Sequence, residues 1–187
     1  MNNRLNIQQS FLNKRERHII EMEIKKATRS DVRRISYLIQ KNTEKVEENN
    51  YSDEQKRAWK KSNTSKAIEK SLKHRIIFCG FIQNKLVGTI GLQKNEIVGL
   101  YVSYSKRGLG IGWKLLNYLE DYVRSRNMKY LILNSTPSAI KFYKQNGYEV
   151  LGSNIIKIIG VNFEETKMKK ELMCVSPKII KNRVVEK

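Results

Sequence analysis

A glycine-rich segment near the middle of the chain has the residue types that bind phosphate groups. Between a predicted strand and a predicted helix, the sequence runs Arg107, Gly108, Leu109, Gly110, Ile111, Gly112, Trp113. Glycines let a ligand approach the backbone closely, and the free N–H groups at a helix N-terminus attract anions. The segment 107–113 therefore predicts a binding site for a diphosphate.

Two common nucleotide-binding loops do not fit this segment. A P-loop requires Gly-x4-Gly-Lys-Ser/Thr, but Trp113 occupies the position of its second glycine and Leu115 follows Lys114. A dinucleotide-binding loop requires Gly-x-Gly-x-x-Gly and an acidic residue about 20 positions later. Here the glycines run Gly-x-Gly-x-Gly, and the next predicted strand, Tyr130–Asn134, has no carboxylate.

A third pattern, Arg/Gln-x-x-Gly-x-Gly/Ala, is matched by Arg107, Gly110 and Gly112. With the preceding Leu100-Tyr101-Val102, it resembles the acetyl-CoA signature of the GNAT superfamily of N-acetyltransferases. A later segment resembles the second marker of that family, with Ala139, Phe142, Tyr143, Gly147 and Tyr148 at the expected spacing. The resemblance covers about residues 22–172. It implies transfer of an acetyl group from acetyl-CoA to a primary amine of a small molecule or peptide.

The resemblance also implies which residues bind coenzyme A. They form a splayed strand end, the glycine turn and the approach to the last helix: Leu100, Tyr101, Val102, Arg107, Gly108, Leu109, Gly110, Ile111, Gly112, Trp113, Asn134, Thr136 and Ser138. The strand end would pair with the pantetheine amides, and the N–H of Leu100 or Val102 would face the thioester oxygen. Thr136 stands where the family often has Asn, so Asn134 or Ser138 would replace that contact.

Two residues are candidates for proton transfer. Tyr143 matches a position where many relatives carry a tyrosine near the sulfur, and a phenol with a reference pKa of about 10 can protonate a departing thiolate. The alternative is a core aromatic side chain. Glu96 opens the third strand of the central run and is the candidate base, acting directly or through water. The alternative there is a solvated carboxylate.

The acceptor is the least specified part of the sequence. Trp59 lies in a region that borders the acceptor pocket in the family, where it would be either a pocket wall or ordinary packing. Carboxylates at Asp53, Glu54 and residues 44–48 could attract a cationic amine, and a polar loop explains them equally well.

The patterns around these residues predict an α/β fold with a mixed, mostly antiparallel sheet and helices on both faces. Strands are predicted from residue 22 and over 75–82, 86–93, 96–103, 130–134, 148–152 and 155–172. Helices are predicted after a cap at 30–31 and over 53–61, 65–72, 111–126 and from 136. Flanking this domain are an N-terminal extension, 1–21, and a basic tail, 173–187.

The composition indicates partners only weakly. The net charge of +19 over 187 residues would attract the polyanion coenzyme A, or nucleic acid if the fold were a non-catalytic scaffold. No arginine-rich helix supports nucleic acid. No apolar run approaches the ~20 residues of a membrane helix, and residues 1–20 lack a signal-peptide pattern, so a cytoplasmic location is expected. Cys79 and Cys174 lack metal-site spacing, so no metal is expected. A homodimer is compatible with the family.

Overall fold

The computed structural model describes residues 21–45 and 51–172. The basic tail at 173–187 lies outside the described residues. So does the predicted N-terminal extension, except for its last residue, and so does the end of the acidic segment 44–48.

Seven strands form one sheet in the order β1-β2-β3-β4-β5-β7-β6. All neighbours pair antiparallel except β4 and β5, which are parallel. This confirms the predicted mixed, mostly antiparallel sheet. The strands are β1 Glu23–Lys26, β2 Ile76–Ile82, β3 Lys85–Gln93, β4 Glu96–Val102, β5 Tyr130–Ser135, β6 Glu149–Ile158 and β7 Val161–Glu171.

Five α-helices cover the sheet, together with three short 3-10 turns over Arg29–Asp31, Tyr104–Lys106 and Pro137–Ala139. The first helix begins at Val32, directly after the predicted cap at 30–31. In the 3-10 turn before it, Asp31 Oδ2 accepts from the N–H and hydroxyl of Thr28, each at 2.9 Å. The helices are α1 Val32–Glu44, α2 Asp53–Ser62, α3 Ser65–Ser71, α4 Ile111–Arg124 and α5 Ile140–Gln145.

Apolar helix faces bury both sides of the sheet, as the sequence predicts. On one side, Val32, Ile35 and Ile39 of α1 pack against β2. The opposite side carries α4, whose fully buried Leu115 and Leu119 pack against β3, β4 and β5. Cys79 of β2 is fully buried, and burial raises the pKa of its thiol to about 12, so it acts as a small core residue.

One predicted strand boundary is wrong. The sequence predicted a break near Gly152, but β6 continues through it to Ile158, and the turn is Ile159-Gly160. Both turn residues have positive φ (49° and 84°), as a tight two-residue hairpin requires. Gly152 instead marks a register shift in the β6–β7 ladder, a common role for a glycine inside a strand.

The functional feature of the sheet is a split between its two parallel strands. β4 pairs with β5 only at Glu96–Ile132 and Ile97–Leu133, although both strands continue beyond these pairs. The β3–β4 ladder also shifts register in this stretch, where Gly99 has a φ of 88°. The strand ends therefore diverge and leave one edge of β4 facing a cleft.

Candidate active site

The cleft has a volume of about 1280 Å³ and brings together nearly all of the residues singled out from the sequence. Leu109 does not line it and is an exposed residue of the turn. The residues that do line it are Trp59, Glu96, Leu100, Tyr101, Val102, Arg107, Gly108, Gly110, Ile111, Gly112, Trp113, Asn134, Thr136, Ser138 and Tyr143.

The glycine turn forms one end of the cleft. Gly108 and Gly110 have φ values of 76° and 74°, which residues other than glycine rarely adopt. A Cβ atom at either position would meet no atom within 4 Å, so the backbone faces open space. α4 begins directly after Gly110, and the first N–H groups of a helix have no partner within it. The turn therefore has the open backbone and the helix N-terminus that a diphosphate site needs, and the binding of a diphosphate there stays a prediction.

The free edge of β4 links this turn to the centre of the cleft. Asn42 of α1, itself buried, donates its side-chain N–H to the carbonyl oxygen of Val102 at 3.0 Å and fixes the end of the strand. Thr136 and Ser138, whose hydroxyl oxygens lie 3.2 Å apart, line the opposite wall. An extended amide chain of coenzyme A can thus lie along a rigid strand edge.

Tyr143 reaches the cleft from α5. It packs against the rings of Phe142 and Tyr148, with centroids 5.2 and 5.6 Å away, so it is a core aromatic residue that also lines the cavity. Burial, with smaller contributions from Tyr101 and Glu165, raises the pKa of its phenol above the usual value. The hydroxyl therefore keeps its proton at neutral pH and can donate it.

Glu96 opens β4 beside a pair of asparagines. Asn134 of β5 donates its side-chain N–H to Glu96 Oε1 at 3.1 Å, and Asn154 of β6 donates to Asn134 Oδ1 at 2.7 Å. The Glu96 carboxylate is thus fixed at the cleft by a hydrogen bond and is not a freely solvated group. Because Asn134 is engaged by Glu96, Ser138 is the better placed of the two predicted substitutes for the family Asn.

Aromatic rings form the wall beyond Glu96. Trp59 of α2 donates its indole N–H to the Tyr101 hydroxyl at 2.9 Å, and its ring packs edge-on against Tyr51 and Phe163 at 5.2 and 5.7 Å. Trp59 therefore packs α2 onto β7 and also lines the cleft, and its role as a wall of the acceptor pocket stays a prediction. Burial raises the pKa of the Tyr101 phenol to about 12, so this hydroxyl stays neutral.

Comparison with known proteins decides the family. The family model of the Acetyltransferase (GNAT) domain matches residues 47–172. The chain belongs to the GNAT acetyltransferase family. It is therefore an acyltransferase, as the two sequence markers predicted. No curated protein matches it by sequence.

Solved structures share the fold of this GNAT acetyltransferase at low sequence identity. A GCN5-related N-acetyltransferase from Rhodopseudomonas palustris is 23% identical over 80% of this chain and 95% of its own, with a TM-score of 0.75. The PaiA N-acetyltransferase from Thermoplasma acidophilum, in complex with coenzyme A, is 19% identical over 81% and 99%, with a TM-score of 0.69. An aminoglycoside 6'-N-acetyltransferase complexed with coenzyme A is 21% identical over 81% and 97%, with a TM-score of 0.60.

Two features bear on the predicted partners of the enzyme. Within residues 21–45 and 51–172, no helix is both long and apolar enough to cross a membrane. In the same part of the chain, no three His, Cys, Asp or Glu side chains group as metal ligands. A cytoplasmic location and a homodimer stay predictions.

Glu165 of β7 is a cleft residue of this GNAT acetyltransferase that the sequence reasoning missed. Its side chain is buried, only 7% exposed, and burial raises the pKa of the carboxyl to about 7, with a smaller contribution from Glu96. The signal was available: Glu165 follows Phe163 by two residues, so it shares the apolar face of a strand with a fully buried ring. A carboxylate at position 165 is an exception to the alternation of apolar inward-facing and polar outward-facing residues along the strand.

The carboxylates that the sequence suggested for an amine are elsewhere. Glu44 lies on the surface, where it forms ion pairs with Lys41 at 3.0 Å and Lys60 at 3.2 Å. Asp53 and Glu54 occupy the first turn of α2, where acidic residues complement the helix dipole. None of these three lines the cleft. Glu96 and Glu165 supply its negative charge instead.

Proposed function

We propose that this enzyme binds acetyl-CoA and transfers the acetyl group to a primary amine by direct attack in a ternary complex. One observation carries the proposal: a single cleft joins the glycine turn and the free edge of β4 to a protonated tyrosine and two carboxylates. The structures of the Thermoplasma and aminoglycoside enzymes with coenzyme A add support, since they share the fold that forms this cleft.

Coenzyme A would lie across the first half of the cleft. The backbone of residues 107–113 would hold its diphosphate, and the edge of β4 at Leu100–Val102 would pair with its pantetheine amides. The hydroxyls of Thr136 and Ser138 are placed to contact it from the other wall. Acetyl-CoA supplies an activated acyl group to this site.

Two different side chains at the centre of the cleft would carry out the two proton transfers. The amine nitrogen forms a bond to the acetyl carbon while the bond from that carbon to sulfur breaks. An N–H group of Leu100 or Val102 would stabilise charge on the carbonyl oxygen, and Tyr143 would give its proton to the thiolate. Glu96, positioned by Asn134, would accept a proton from the amine directly or through water.

Calorimetric titration of the full chain with acetyl-CoA tests the first half of this proposal. We expect saturable one-to-one binding, and no heat of binding up to millimolar concentration would overturn it. A turnover screen across polyamines, amino acids, aminoglycosides and peptides tests the second half. Binding without transfer to any amine would favour the non-catalytic alternative on the same fold.

A further inference from the structure

Glu165 is a buried acid, and no cation among the described residues neutralises it. Within residues 21–45 and 51–172, its carboxyl forms no ion pair and no hydrogen bond with another side chain, although it lines the cleft and is only 7% exposed. Glu120 of α4, another buried carboxylate, has Lys170 Nζ at 2.7 Å and Arg124 Nη2 at 2.9 Å. An ionised carboxylate in such surroundings is unfavourable unless a positive group from outside joins it.

In the part of the chain that the structure describes, no group that faces Glu165 supplies this positive charge. Lys106 and Lys157 line the cleft, but neither forms an ion pair with Glu165. Glu96 of β4 adds negative charge, and the hydroxyls of Tyr51, Tyr101 and Tyr143 are neutral phenols whose pKa values burial raises. Arg75, the residue before β2, also lines the cleft, but its Nε donates to Gln93 Oε1 at 2.7 Å, and it makes no ion pair with Glu165.

The Tyr51 hydroxyl is a second, independent indication of a missing ligand. Tyr51 lines the same cavity and is only 6% exposed, yet its hydroxyl oxygen has no hydrogen-bond partner among the described residues. Buried hydroxyls without partners are rare because the lost hydrogen bond is costly. A ligand with N–H groups at this end of the cleft would supply the Glu165 carboxylate with a hydrogen-bond donor, and the unpartnered Tyr51 oxygen lies in the wall of the same cavity.

The walls around these groups indicate the body of that ligand. The rings of Tyr51, Trp59 and Tyr101 and the side chains of Ile156 and Ile158 line this end of the cavity. Such a surface suits an alkyl or aryl group, and electron-rich ring faces attract a cation. A carboxylate beside the amine would instead meet Glu96 and Glu165 and be repelled.

We propose that the acceptor is a cationic primary amine on an apolar body with no carboxylate next to its nitrogen, and that Glu165 binds its ammonium group and takes its proton. This rests on the proposed acetyl transfer and names the acceptor class and a further catalytic residue. Glu165 then replaces Glu96 as the acceptor of the amine proton, and Glu96 serves as a fixed negative charge that helps to hold the ammonium in place.

The proton steps balance without an additional reactant. The ammonium gives one proton to Glu165, and the neutral amine forms the bond to the acetyl carbon while the bond to sulfur breaks. Tyr143 protonates the thiolate and regains a proton from the new amide nitrogen through water. Glu165 releases its proton to solvent when the products leave. A base is most effective when its pKa lies near the working pH, as the pKa of about 7 for Glu165 does.

The test uses three acceptors that differ at one position, namely phenethylamine, phenylalaninamide and phenylalanine. For the unaltered enzyme, we expect kcat/KM to be about 100-fold higher for phenethylamine than for phenylalanine, with the neutral amide close to phenethylamine. The kcat/KM profile for phenethylamine should rise with pH around 7 and then level.

Glu165→Gln should lower kcat/KM for phenethylamine by about 100-fold, remove the rise around pH 7 and reduce the preference against phenylalanine. Glu164→Gln is the matched control, because Glu164 is the adjacent exposed residue on the other face of β7. It should retain the activity, the pH profile and the preference of the unaltered enzyme. Thermal melting and acetyl-CoA titration of both variants establish that the fold and the cosubstrate site are intact.

The outcomes separate this inference from the proposed function. Failure of acetyl-CoA to bind would overturn both. Binding without transfer to any of the three amines, equal use of phenylalanine, or a pH profile unchanged in Glu165→Gln would overturn the inference alone. Loss of activity in Glu164→Gln equal to that in Glu165→Gln would also overturn it, since the effect would then not belong to the cleft.

Discussion

Tyr143 and Glu165 face the same cleft from different elements, and burial raises the pKa of both side chains. The chemical consequences are opposite. A phenol with a raised pKa remains a proton donor at neutral pH, while a carboxyl whose pKa is about 7 can accept a proton and release it again. The cleft thus provides a donor for the leaving sulfur and an acceptor for the incoming nitrogen.

Tyr143→Phe tests the donor directly. We expect kcat to fall by about 100-fold because the thiolate loses its proton source, while the dissociation constant for acetyl-CoA stays nearly unchanged. Steady-state kinetics and calorimetric titration give the two values. Tyr148→Phe is the control: it removes another buried hydroxyl, which donates to Glu120 at 3.2 Å and does not line the cleft. An unaltered kcat in Tyr143→Phe would exclude the donor role.

Residue types at fixed spacing made Tyr143 and the glycine turn predictable. For Glu165, the alternation with Phe163 could predict a buried position on a strand, but not its approach to Glu96. Tyr143 belongs to a continuous segment with its own pattern. Glu165 approaches Glu96 only because β7 lies beside β5, a non-local pairing that no short segment of sequence encodes.

At the scale of elements, the start of α4 combines a left-handed backbone conformation at Gly110 with the site proposed for the diphosphate. Gly110→Ala places a side chain on a residue with a φ of 74°, at a cost of about 1 kcal/mol, and points a methyl group into the open space proposed for the diphosphate. We expect acetyl-CoA affinity to fall by about 10-fold or more. Gly160→Ala is the matched control, because Gly160 has a φ of 84°, a Cβ there would also meet no atom within 4 Å, and Gly160 does not line the cleft. Calorimetric titration of both variants measures the difference, and equal affinities would contradict the assignment.

A buried ion cluster joins α4 to β7. Glu120, 1% exposed, accepts from Lys170 of β7, from Arg124 of its own helix and from the Tyr148 hydroxyl. Glu120→Ala leaves these donors without an acceptor and should lower the free energy of unfolding by about 3–5 kcal/mol. Urea denaturation measures this value.

The control for that cluster is Asp121→Ala. Asp121 also pairs with Arg124, at 2.8 Å, but its side chain is 78% exposed. We expect a change within about 1 kcal/mol, as for other exposed pairs. Similar losses in the two variants would show that burial of Glu120 is not what makes the cluster important.

The order and type of most elements followed from periodicity and turn residues, but the separation of β4 from β5 did not follow from any of these. Each strand has a regular pattern up to its end. The split results from the register shift beside Gly99 and from the few pairs that join the two strands. Such features depend on three strands at once. Only the family resemblance anticipated the splayed strand end.

For the molecule as a whole, the net charge is positive, whereas one end of the cleft is lined by carboxylates. The chain carries +19, which favours encounter with the polyanionic coenzyme A, whereas the inner end of the cleft contains Glu96 and Glu165. A cosubstrate and an acceptor of opposite charge can therefore approach different ends of one cleft. Burial of Glu165 at that end also carries a cost for the stability of the fold.

That cost predicts how stability depends on pH. The carboxyl of Glu165 has a pKa of about 7 in the folded protein and an ordinary value of 4.5 when unfolded, so the folded state retains its proton to higher pH. Between these two values, the unfolded chain releases the proton first, and the free energy of unfolding falls as pH rises, levelling above about 7. Glu165→Gln lacks this decline and should exceed the unaltered protein by about 2–3 kcal/mol at pH 8, with little difference at pH 4.5. Urea denaturation at both pH values, with Glu164→Gln as control, measures it. A difference between Glu165→Gln and the unaltered protein that does not grow with pH would mean that Glu165 is not desolvated in the free enzyme.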